Sequence, residues 1–351
     1  MLLSLFCGAG GLDVGFETTE YEVSLAFDLR KDSIASYNHN RRDQSEHGRV
    51  GDVSKLTPAM LDELHGSKFA PEGVIGGPPC QSFSRANTVY LEADPRHSLP
   101  LAYAKLLKEL NDRHPVKFFV MENVTGLLGE RHAHRLRRYE KAFEDAGFSL
   151  SRHVLLATDY STPQIRERLF IVGFNSKLYG DAKWSPPPKI ATADSRRPDV
   201  QGAIGHLPDA THFERGLTPN QIPHHVNHWC MKPKSPKFTT PGALRPGDGN
   251  HRSFKTLAWG SPSPTVAYGH REVHIHPSCK RRLSVYEAML LQGFPVDYEL
   301  IGSLSSQILQ ISEAVPPPVA AAVARSVRDQ IAALDAAREV QESEARNRAH
   351  A

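Results

Sequence analysis

The residue best suited to act as a nucleophile is Cys80, in the stretch 76–84, where two glycines and two prolines precede it. A thiolate is a strong nucleophile, and a rigid glycine–proline turn would aim it in one direction. A lone cysteine is more often a small buried apolar residue, so the position alone leaves both interpretations open. The other cysteines, at 7, 230 and 279, form no C-x-x-C pair, which argues against a disulfide framework or a structural zinc site.

An acid and two arginines stand at the ends of later apolar runs. Glu122 ends one run, and Arg166 and Arg168 immediately precede another. The ends of strands in a parallel sheet can converge on one edge, where such folds bind their ligands. The alternative is a set of surface salt bridges, and spacing alone does not decide between the two.

A glycine-rich turn follows the first apolar run. Its residues are Phe6, Gly8, Gly10 and Gly11. Glycines at this point let the backbone approach a ligand closely and begin a helix whose amides face that ligand. The pattern also fits a simple tight turn, and its spacing differs from the G-x-G-x-x-G of NAD enzymes, which disfavours a dehydrogenase.

Two acidic residues accompany the turn. Asp28 follows the second apolar run, and Asp52 lies between Gly51 and Val53, at a third point that could contribute to a ligand site. A carboxylate after the second strand of an α/β nucleotide site accepts hydrogen bonds from ribose hydroxyls.

The elements that must position these residues form an α/β pattern over the first 175 residues. Apolar runs predict strands at 2–6, 23–27, 73–75, 118–121, 149–156 and 169–174. Amphipathic stretches such as 101–110 lie between them and predict helices. Continuous apolar strands separated by helices predict a Rossmann-like, mostly parallel sheet with both faces covered.

The second half has a different composition. Residues 176–280 hold 14 of the 26 prolines and 9 of the 18 histidines, which predicts a loop-rich domain of short strands. The same segment has 14 Lys plus Arg against 7 Asp plus Glu, a net +7, so the rest carries −4 of the total +3. This asymmetry favours a polyanionic partner over a merely solvated basic face. Helices are predicted at 284–291 and 319–334, followed by a charged frayed helix or tail.

Length and composition exclude several classes of protein. The chain has 351 residues, 40% of them apolar and 23% charged, as in ordinary globular proteins. No apolar run is long enough to cross a bilayer, and the first residues pass directly into the glycine turn without room for a signal peptide. We therefore expect a cytoplasmic protein with no membrane partner.

Taken in order, the motifs resemble those of the DNA (cytosine-5) methyltransferase family. The matches extend from the first residues to about residue 318 and keep the family's order. They are Phe6-x-Gly8-x-Gly10-Gly11, Gly51-Asp52, Pro78-Pro79-Cys80-Gln81, Glu122-Asn123-Val124, Gln164-x-Arg166-x-Arg168, Arg281-x-Leu283-Ser284 with Glu287, Gln292-Gly293-Phe294-Pro295 and Ala314-Val315-Pro316.

The resemblance implies catalytic roles for four residues. Cys80 would attack carbon 6 of cytosine, Glu122 would contact ring nitrogen 3 and the amine, and Arg168 the carbonyl oxygen, with Arg166 supporting the same pocket. Thiolate addition makes carbon 5 reactive, and the acid and the cation stabilise the charge that develops on the ring.

The resemblance also implies a cofactor site for S-adenosylmethionine, which becomes S-adenosylhomocysteine, and no metal. Asp28 would bind the ribose and Asp52 the adenine. The implied cofactor-binding residues are Phe6, Gly8, Gly10, Gly11, Asp28, Asp52, Val53, Pro79 and Glu313.

The implied partner is double-stranded DNA, from which the target cytosine must be flipped because carbon 6 is inaccessible inside the stack. The expected domains are a catalytic and cofactor-binding domain at 1–175, a target-recognition domain at 176–300, a C-terminal helix at 301–335 that returns to the first domain, and a charged tail at 336–351. By analogy with the family, the enzyme would be bacterial or phage-encoded and act in a restriction-modification system beside a cognate restriction endonuclease.

The chain departs from the family pattern at a few positions. Ser312 and Glu313 replace the usual Gly-Asn, and Tyr286 and Leu290 replace arginines. The altered Ser312-Glu313 pair keeps open a catalytically impaired DNA-binding paralogue or regulatory subunit. An RNA cytosine-5 methyltransferase of the same superfamily is a separate alternative.

Overall fold

The computed structural model of the chain describes residues 1–41, 47–79, 94–190, 198–249, 254–265 and 274–349. Cys80, the predicted nucleophile, lies outside the described residues, and Pro79 immediately before it lies inside them.

A seven-stranded sheet forms the centre of the fold. Its strands are β1 (Leu2–Leu5), β2 (Val23–Asp28), β3 (Gly48–Val50), β4 (Gly73–Gly76), β5 (Phe118–Val124), β6 (Phe148–Leu156) and β8 (Glu167–Asn175), in the order β3-β2-β1-β4-β5-β8-β6. The first five strands of that order are parallel, and β8 runs antiparallel to both of its neighbours. This arrangement confirms the mostly parallel, Rossmann-like sheet.

Helices pack on both faces of the sheet and also in the segment that follows it. They are α1 (Gly11–Glu17), α2 (Lys31–His39), α3 (Pro58–His65), α4 (Leu99–Arg113), α5 (Ala133–Asp145), α6 (Ser176–Tyr179), α7 (Val200–Ile204), α8 (Val285–Leu291), α9 (Leu304–Glu313) and α10 (Pro317–Ala349). Successive strand residues point to opposite faces, so the side chains of β5 divide between two apolar clusters. Phe118 and Val120 pack with α1, α2 and α10, whereas Phe119 and Met121 pack with α3, α4 and α5.

The segment after the sheet contains few regular elements in the parts that the structure describes. Two short parallel ladders pair β9 (Thr211–His212) with β10 (Trp229–Cys230), and β11 (Ser263–Pro264) with β7 (Gln164–Ile165). A third apolar cluster joins α7, α8 and α9 and includes Ala9 of the glycine turn. The second ladder and this cluster bind the loop-rich segment to the edge of the central sheet.

Helix α8 illustrates how the sequence sets a local element. The Ser284 hydroxyl accepts a hydrogen bond from the backbone N–H of Glu287, and the Glu287 carboxylate accepts one from the N–H of Ser284. This reciprocal cap satisfies two amides that the first turn of a helix leaves unpaired. Glu287 is fully buried and also accepts two hydrogen bonds of 2.8 Å from Arg281, so the Arg281 motif serves as a structural brace.

The C-terminal helix α10 returns to the first domain and packs on α1. A Cβ on Gly15 would lie 2.3 Å from the Cβ of Ala320, so this crossing requires glycine. The sequence left a frayed helix or a tail open after residue 334, and the structure shows a helix that continues to Ala349; its last turns are exposed and carry charge pairs four residues apart. None of the helices in the described ranges is both long and apolar enough to span a bilayer.

Candidate active site

The glycine turn has an unusual backbone. Phe6, Gly8 and Gly10 have φ values of 56°, 56° and 84°. A non-glycine residue in this left-handed region is strained, and such strain concentrates at ligand-binding sites. Among the described residues, no atom lies within 4 Å of a Cβ placed on Gly8, so the backbone is open to them there, whereas a Cβ on Gly11 would lie 2.4 Å from the carbonyl oxygen of Val315. The turn is therefore packed on one side and open on the other.

Asp28 lies beside this turn because β1 and β2 are neighbouring parallel strands. Its Oδ2 accepts a hydrogen bond of 3.0 Å from the N–H of Gly8, and its Oδ1 accepts one of 2.8 Å from the N–H of Arg30. A carboxylate has about four lone-pair positions, so two remain for further donors. The structure thus brings a predicted ribose-binding acid onto the glycine turn.

Asp52 follows β3 at the same edge, since β2 pairs with β3 and Gly51 donates its N–H to Asp28 O at 3.0 Å. Its Oδ1 accepts hydrogen bonds from the N–H and the hydroxyl of Ser54, at 3.0 and 2.7 Å. The Ser54 hydroxyl is the main reason why the pKa of Asp52 lies below its ordinary value, so this exposed carboxylate stays ionised. Val53 beside it is buried.

Glu122 and Arg168 meet across two antiparallel strands. Val124 of β5 pairs with Arg168 of β8, and Glu122 pairs with Phe170, so the acid and the arginine are diagonal neighbours on one face. Glu122 Oε1 lies 2.8 Å from Arg168 Nε, and only 7% of Glu122 is exposed. The two form a buried ion pair, which removes the surface salt bridge as an explanation.

Burial sets the protonation of Glu122. It raises the pKa of this carboxyl above its ordinary value, and the nearby charges of Arg168 and Arg166 offset part of that rise. A carboxyl in this environment holds a proton more readily than one in water and can donate it to a ligand.

The loop that leads to Cys80 reaches the same acid. A Cβ on Gly77 would lie 3.2 Å from Glu122 Oε2, and Asn123 Nδ2 donates a hydrogen bond of 3.3 Å to Pro78 O. Pro78 is buried and Pro79 is half-buried. Gly77 and Pro78 therefore lie against Glu122 and Asn123, and Pro79 is the last described residue before Cys80.

The supporting role of Arg166 in the pocket of Glu122 stays a prediction, but the structure shows which groups this arginine binds. It is 1% exposed, and its Nη2 donates hydrogen bonds of 2.8 and 2.9 Å to the carbonyl oxygens of Ser312 and Ala314. Gln292 Nε2 also donates to Ala314 O, at 2.5 Å. Arg166 thus holds the chain between α9 and α10 and acts on Glu122 through its charge.

Glu313 lies next to that anchored chain, and its carboxylate forms an ion pair with the guanidinium of Arg30. Glu313, one of the residues that differ from the family pattern, is therefore paired with Arg30, two positions after Asp28. Whether Glu313 also contacts a cofactor stays a prediction.

Three contributors to the site escaped the sequence analysis: Tyr298, Gln292 and Arg30. The Tyr298 hydroxyl donates to Ala9 O in the glycine turn, from a position 289 residues away. Gln292 had been noted within a motif without a role, and nothing in the local sequence indicates that Arg30 would meet Glu313. Contacts over such separations have no local signal in one sequence.

Comparison with known proteins adds independent findings. The sequence profile described as C-5 cytosine-specific DNA methylase matches residues 1–329. Type II methyltransferase M.FnuDI of Fusobacterium nucleatum is 28% identical over 93% of this chain and 94% of its own length. Type II methyltransferase M.NgoPII of Neisseria gonorrhoeae is 29% identical over 93% of this chain and 95% of its own length.

A solved structure has a similar fold. The crystal structure of a candidate DNA modification methyltransferase encoded within an Escherichia coli prophage aligns with a TM-score of 0.72 and 22% identity, covering 93% of this chain and 98% of that one.

Proposed function

Because the chain belongs to the C-5 cytosine-specific DNA methylase family, it is a DNA (cytosine-5) methyltransferase, and we propose that it methylates a flipped cytosine through a covalent Cys80 adduct. The observation that carries this proposal is the buried Glu122–Arg168 pair, which lies against the loop leading into Cys80. A nucleophile, a proton donor and a cation are the groups that this chemistry requires.

S-Adenosylmethionine fits the residues at the other end of the site, and when bound it supplies an electrophilic methyl group. The open backbone at Gly8 leaves room for close approach, and Asp28 retains lone pairs for two ribose hydroxyls. Asp52, kept ionised by Ser54, can accept a hydrogen bond from the adenine amine. Phe6, Gly10, Gly11, Val53 and Pro79 would complete the walls of this pocket.

Cys80 would add as the thiolate to carbon 6 of cytosine, which pushes electron density toward carbon 5. Glu122 would donate its proton to ring nitrogen 3 as that density develops, and Arg168 would face the carbonyl oxygen. After methyl transfer a base removes the proton from carbon 5, the bond between Cys80 and carbon 6 breaks to return the thiolate, and the proton on ring nitrogen 3 passes back to Glu122 as the product is released. Arg166 would keep the 312–314 segment in place throughout.

The basic segment 176–280 would hold double-stranded DNA while the base is flipped. Its net charge of +7 suits binding to phosphates, and a few side chains would read base edges in the major groove. The relatives named Type II methyltransferases support a role in a restriction-modification system, beside a nuclease that cuts the same site in the same cytoplasm.

A covalent trap tests the proposal. In 5-fluorocytosine DNA the fluorine cannot leave as a proton does, so the adduct should persist through denaturing electrophoresis when S-adenosylmethionine is present. Cys80→Ala should give no adduct, and the matched control Cys279→Ala, which removes a thiol in the second domain, should give the native amount. An adduct with Cys80→Ala would overturn the assignment of the nucleophile.

The trap and a comparison of substrates separate the alternatives. No adduct with the native protein on a pool of random-sequence DNA would favour a catalytically impaired DNA-binding protein. Faster methylation of RNA than of DNA would favour an RNA methyltransferase. Bisulfite sequencing of DNA from a host that expresses the protein would then give the target sequence.

A further inference from the structure

Arg30 stands between two carboxylates. Its guanidinium forms an ion pair with Glu313, 283 positions later in the chain. Its Nε also lies 3.9 Å from Asp28 Oδ1, just beyond hydrogen-bonding distance. The same Asp28 oxygen already accepts the backbone N–H of Arg30, so the arginine is anchored beside the acid.

The ion pair is not what fastens the C-terminal segment to α2. That contact is made by buried and half-buried hydrogen bonds: Ser36 donates to Gln310 Oε1 at 2.6 Å and accepts the N–H of Ile301 at 2.8 Å, and Asn40 exchanges two bonds with the backbone of Glu299 at 2.7 and 2.8 Å. The side chains of Arg30 and Glu313 are 40% and 32% exposed. An ion pair this exposed contributes little to stability, so its position calls for another explanation.

We propose that Glu313 is a positioning residue that keeps the Arg30 guanidinium from forming hydrogen bonds with Asp28, at the loose contact of 3.9 Å, and so keeps Asp28 available to the ribose of the cofactor. This inference rests on the proposed function, which gives Asp28 its role at the ribose. An arginine fork binds a carboxylate through two parallel N–H donors and would occupy the lone pairs that two ribose hydroxyls need. With Glu313 present, the guanidinium has a competing carboxylate on its other side.

The proposal accounts for the departure from the family pattern at position 313. Arg30 follows the ribose-binding acid by two residues, and a neutral asparagine at 313 would leave this cation free to turn onto Asp28. The glutamate neutralises it at a point where the chain is already fixed, because Arg166 holds the carbonyls of the flanking Ser312 and Ala314. Arg30 and Glu313 therefore work as a matched pair.

The test is a double-mutant cycle read by calorimetric binding of S-adenosylhomocysteine to the full chain. Glu313→Gln should weaken binding about tenfold, since Arg30 then competes for Asp28. Arg30→Gln alone should stay within about twofold of the parent, and adding Arg30→Gln to Glu313→Gln should restore binding to within about threefold. Glu299→Gln, which removes another acid from the same interface, is the matched control and should leave binding unchanged.

Other outcomes overturn the proposal. If Arg30→Gln weakens binding as much as Glu313→Gln and the double variant shows no recovery, the ion pair only joins the two segments and does not keep Arg30 off Asp28. If Glu313→Gln weakens only S-adenosylmethionine and not the uncharged-sulfur product, the carboxylate acts on the sulfonium instead.

A ribose-specific probe distinguishes failure of this inference from failure of the proposed function. The parent should prefer S-adenosylhomocysteine over its 2′-deoxy analogue, and Glu313→Gln should lose most of that preference. If Asp28→Asn binds both ligands as the parent does, the ribose role of Asp28 is wrong. If Asp28→Asn weakens binding but Glu313→Gln does not, only the positioning role is wrong.

Discussion

Glu122 lies 2.8 Å from Arg168, diagonally across the pair of antiparallel strands at which the otherwise parallel sheet reverses direction. Both side chains lie on the same face, and burial raises the pKa of the acid while the arginine opposes that rise. An acid that can still release its proton is therefore fixed beside a permanent cation. This combination can be tested directly in the proposed catalytic site.

Replacing Glu122 with glutamine should reduce the rate of methyl transfer in single turnover by about 10²- to 10⁴-fold. The amide can still donate a hydrogen bond, but it cannot transfer a proton to ring nitrogen 3. Binding of S-adenosylhomocysteine should stay unchanged, because Glu122 does not touch the glycine turn. The control is Glu167→Gln, an exposed acid on β8, and a loss of rate of similar size in that variant would contradict the assignment.

Replacing Arg166 with methionine should lower the free energy of unfolding by about 1–3 kcal/mol, since the carbonyls of Ser312 and Ala314 lose a buried donor. It should also move the pKa of Glu122 upward, because the charge of Arg166 lowers that pKa. Denaturant unfolding and the pH profile of the single-turnover rate measure the two effects. Arg152→Met removes an exposed ion pair and should change stability by less than about 1 kcal/mol.

Close packing requires glycine at Gly11, whereas only the backbone conformation favours it at Gly66. Alanine should therefore lower the free energy of unfolding by different amounts at the two positions. At Gly11 the new Cβ would lie 2.4 Å from Val315 O, and the joint between the turn and the C-terminal segment must shift, at a cost of about 2–3 kcal/mol. At Gly66, where φ is 78° and no atom is within 4 Å, the cost should be about 1 kcal/mol. Equal losses in thermal unfolding would show that the close approach at Gly11 is tolerated.

Asp13 should make stability depend on pH. This fully buried carboxyl accepts a hydrogen bond of 2.8 Å from the Ser4 hydroxyl, and burial, partly offset by Arg41, raises its pKa to about 6. A pKa raised in the folded state means that the stabilisation is complete below the unfolded value near 3.8 and is lost as pH rises through about 6.

Asp13→Asn should remove this dependence. When the pH is raised from 4 to 7.5, the unfolding free energy of the parent should therefore fall by on the order of 2 kcal/mol relative to that of Asp13→Asn. Asp62 provides a control of opposite sign. The Phe69 amide is the main cause of its lowered pKa, so its contribution is lost as pH falls. A difference for Asp13→Asn that does not vary with pH would mean that the carboxyl titrates normally.

The sequence predicted those parts of the fold that have a local signal. Six predicted strands correspond to six of the seven in the sheet, because each contains at least two consecutive apolar residues. Strand β3 was missed, since Gly48–Val50 contains one apolar residue and forms only by pairing with β2. The sequence left the end of helix α10 open between a frayed helix and a tail because its exposed, charged half lacks an apolar period, although charge pairs four residues apart support a helix.

The site was predictable to the extent that its motifs are local. The glycine turn, Asp28 and Asp52 lie along one edge as expected, and Glu122 meets Arg168. The partner of Arg166 was not predictable, because Ser312 and Ala314 are almost 150 positions away and expose only backbone carbonyls to it. Such contacts depend on how distant elements pack against one another in the folded chain.

The packing of α1 against α10 also has a consequence for synthesis on the ribosome. Gly15 contacts Ala320, so the first helix must await a partner that is translated about 300 residues later. At about 5–20 residues per second, this delay is on the order of 15 to 60 seconds. Throughout that interval the nascent chain lacks the α10 residues that bury Leu12 and Phe16. Chaperones should therefore stay bound to this N-terminal segment until α10 leaves the ribosome.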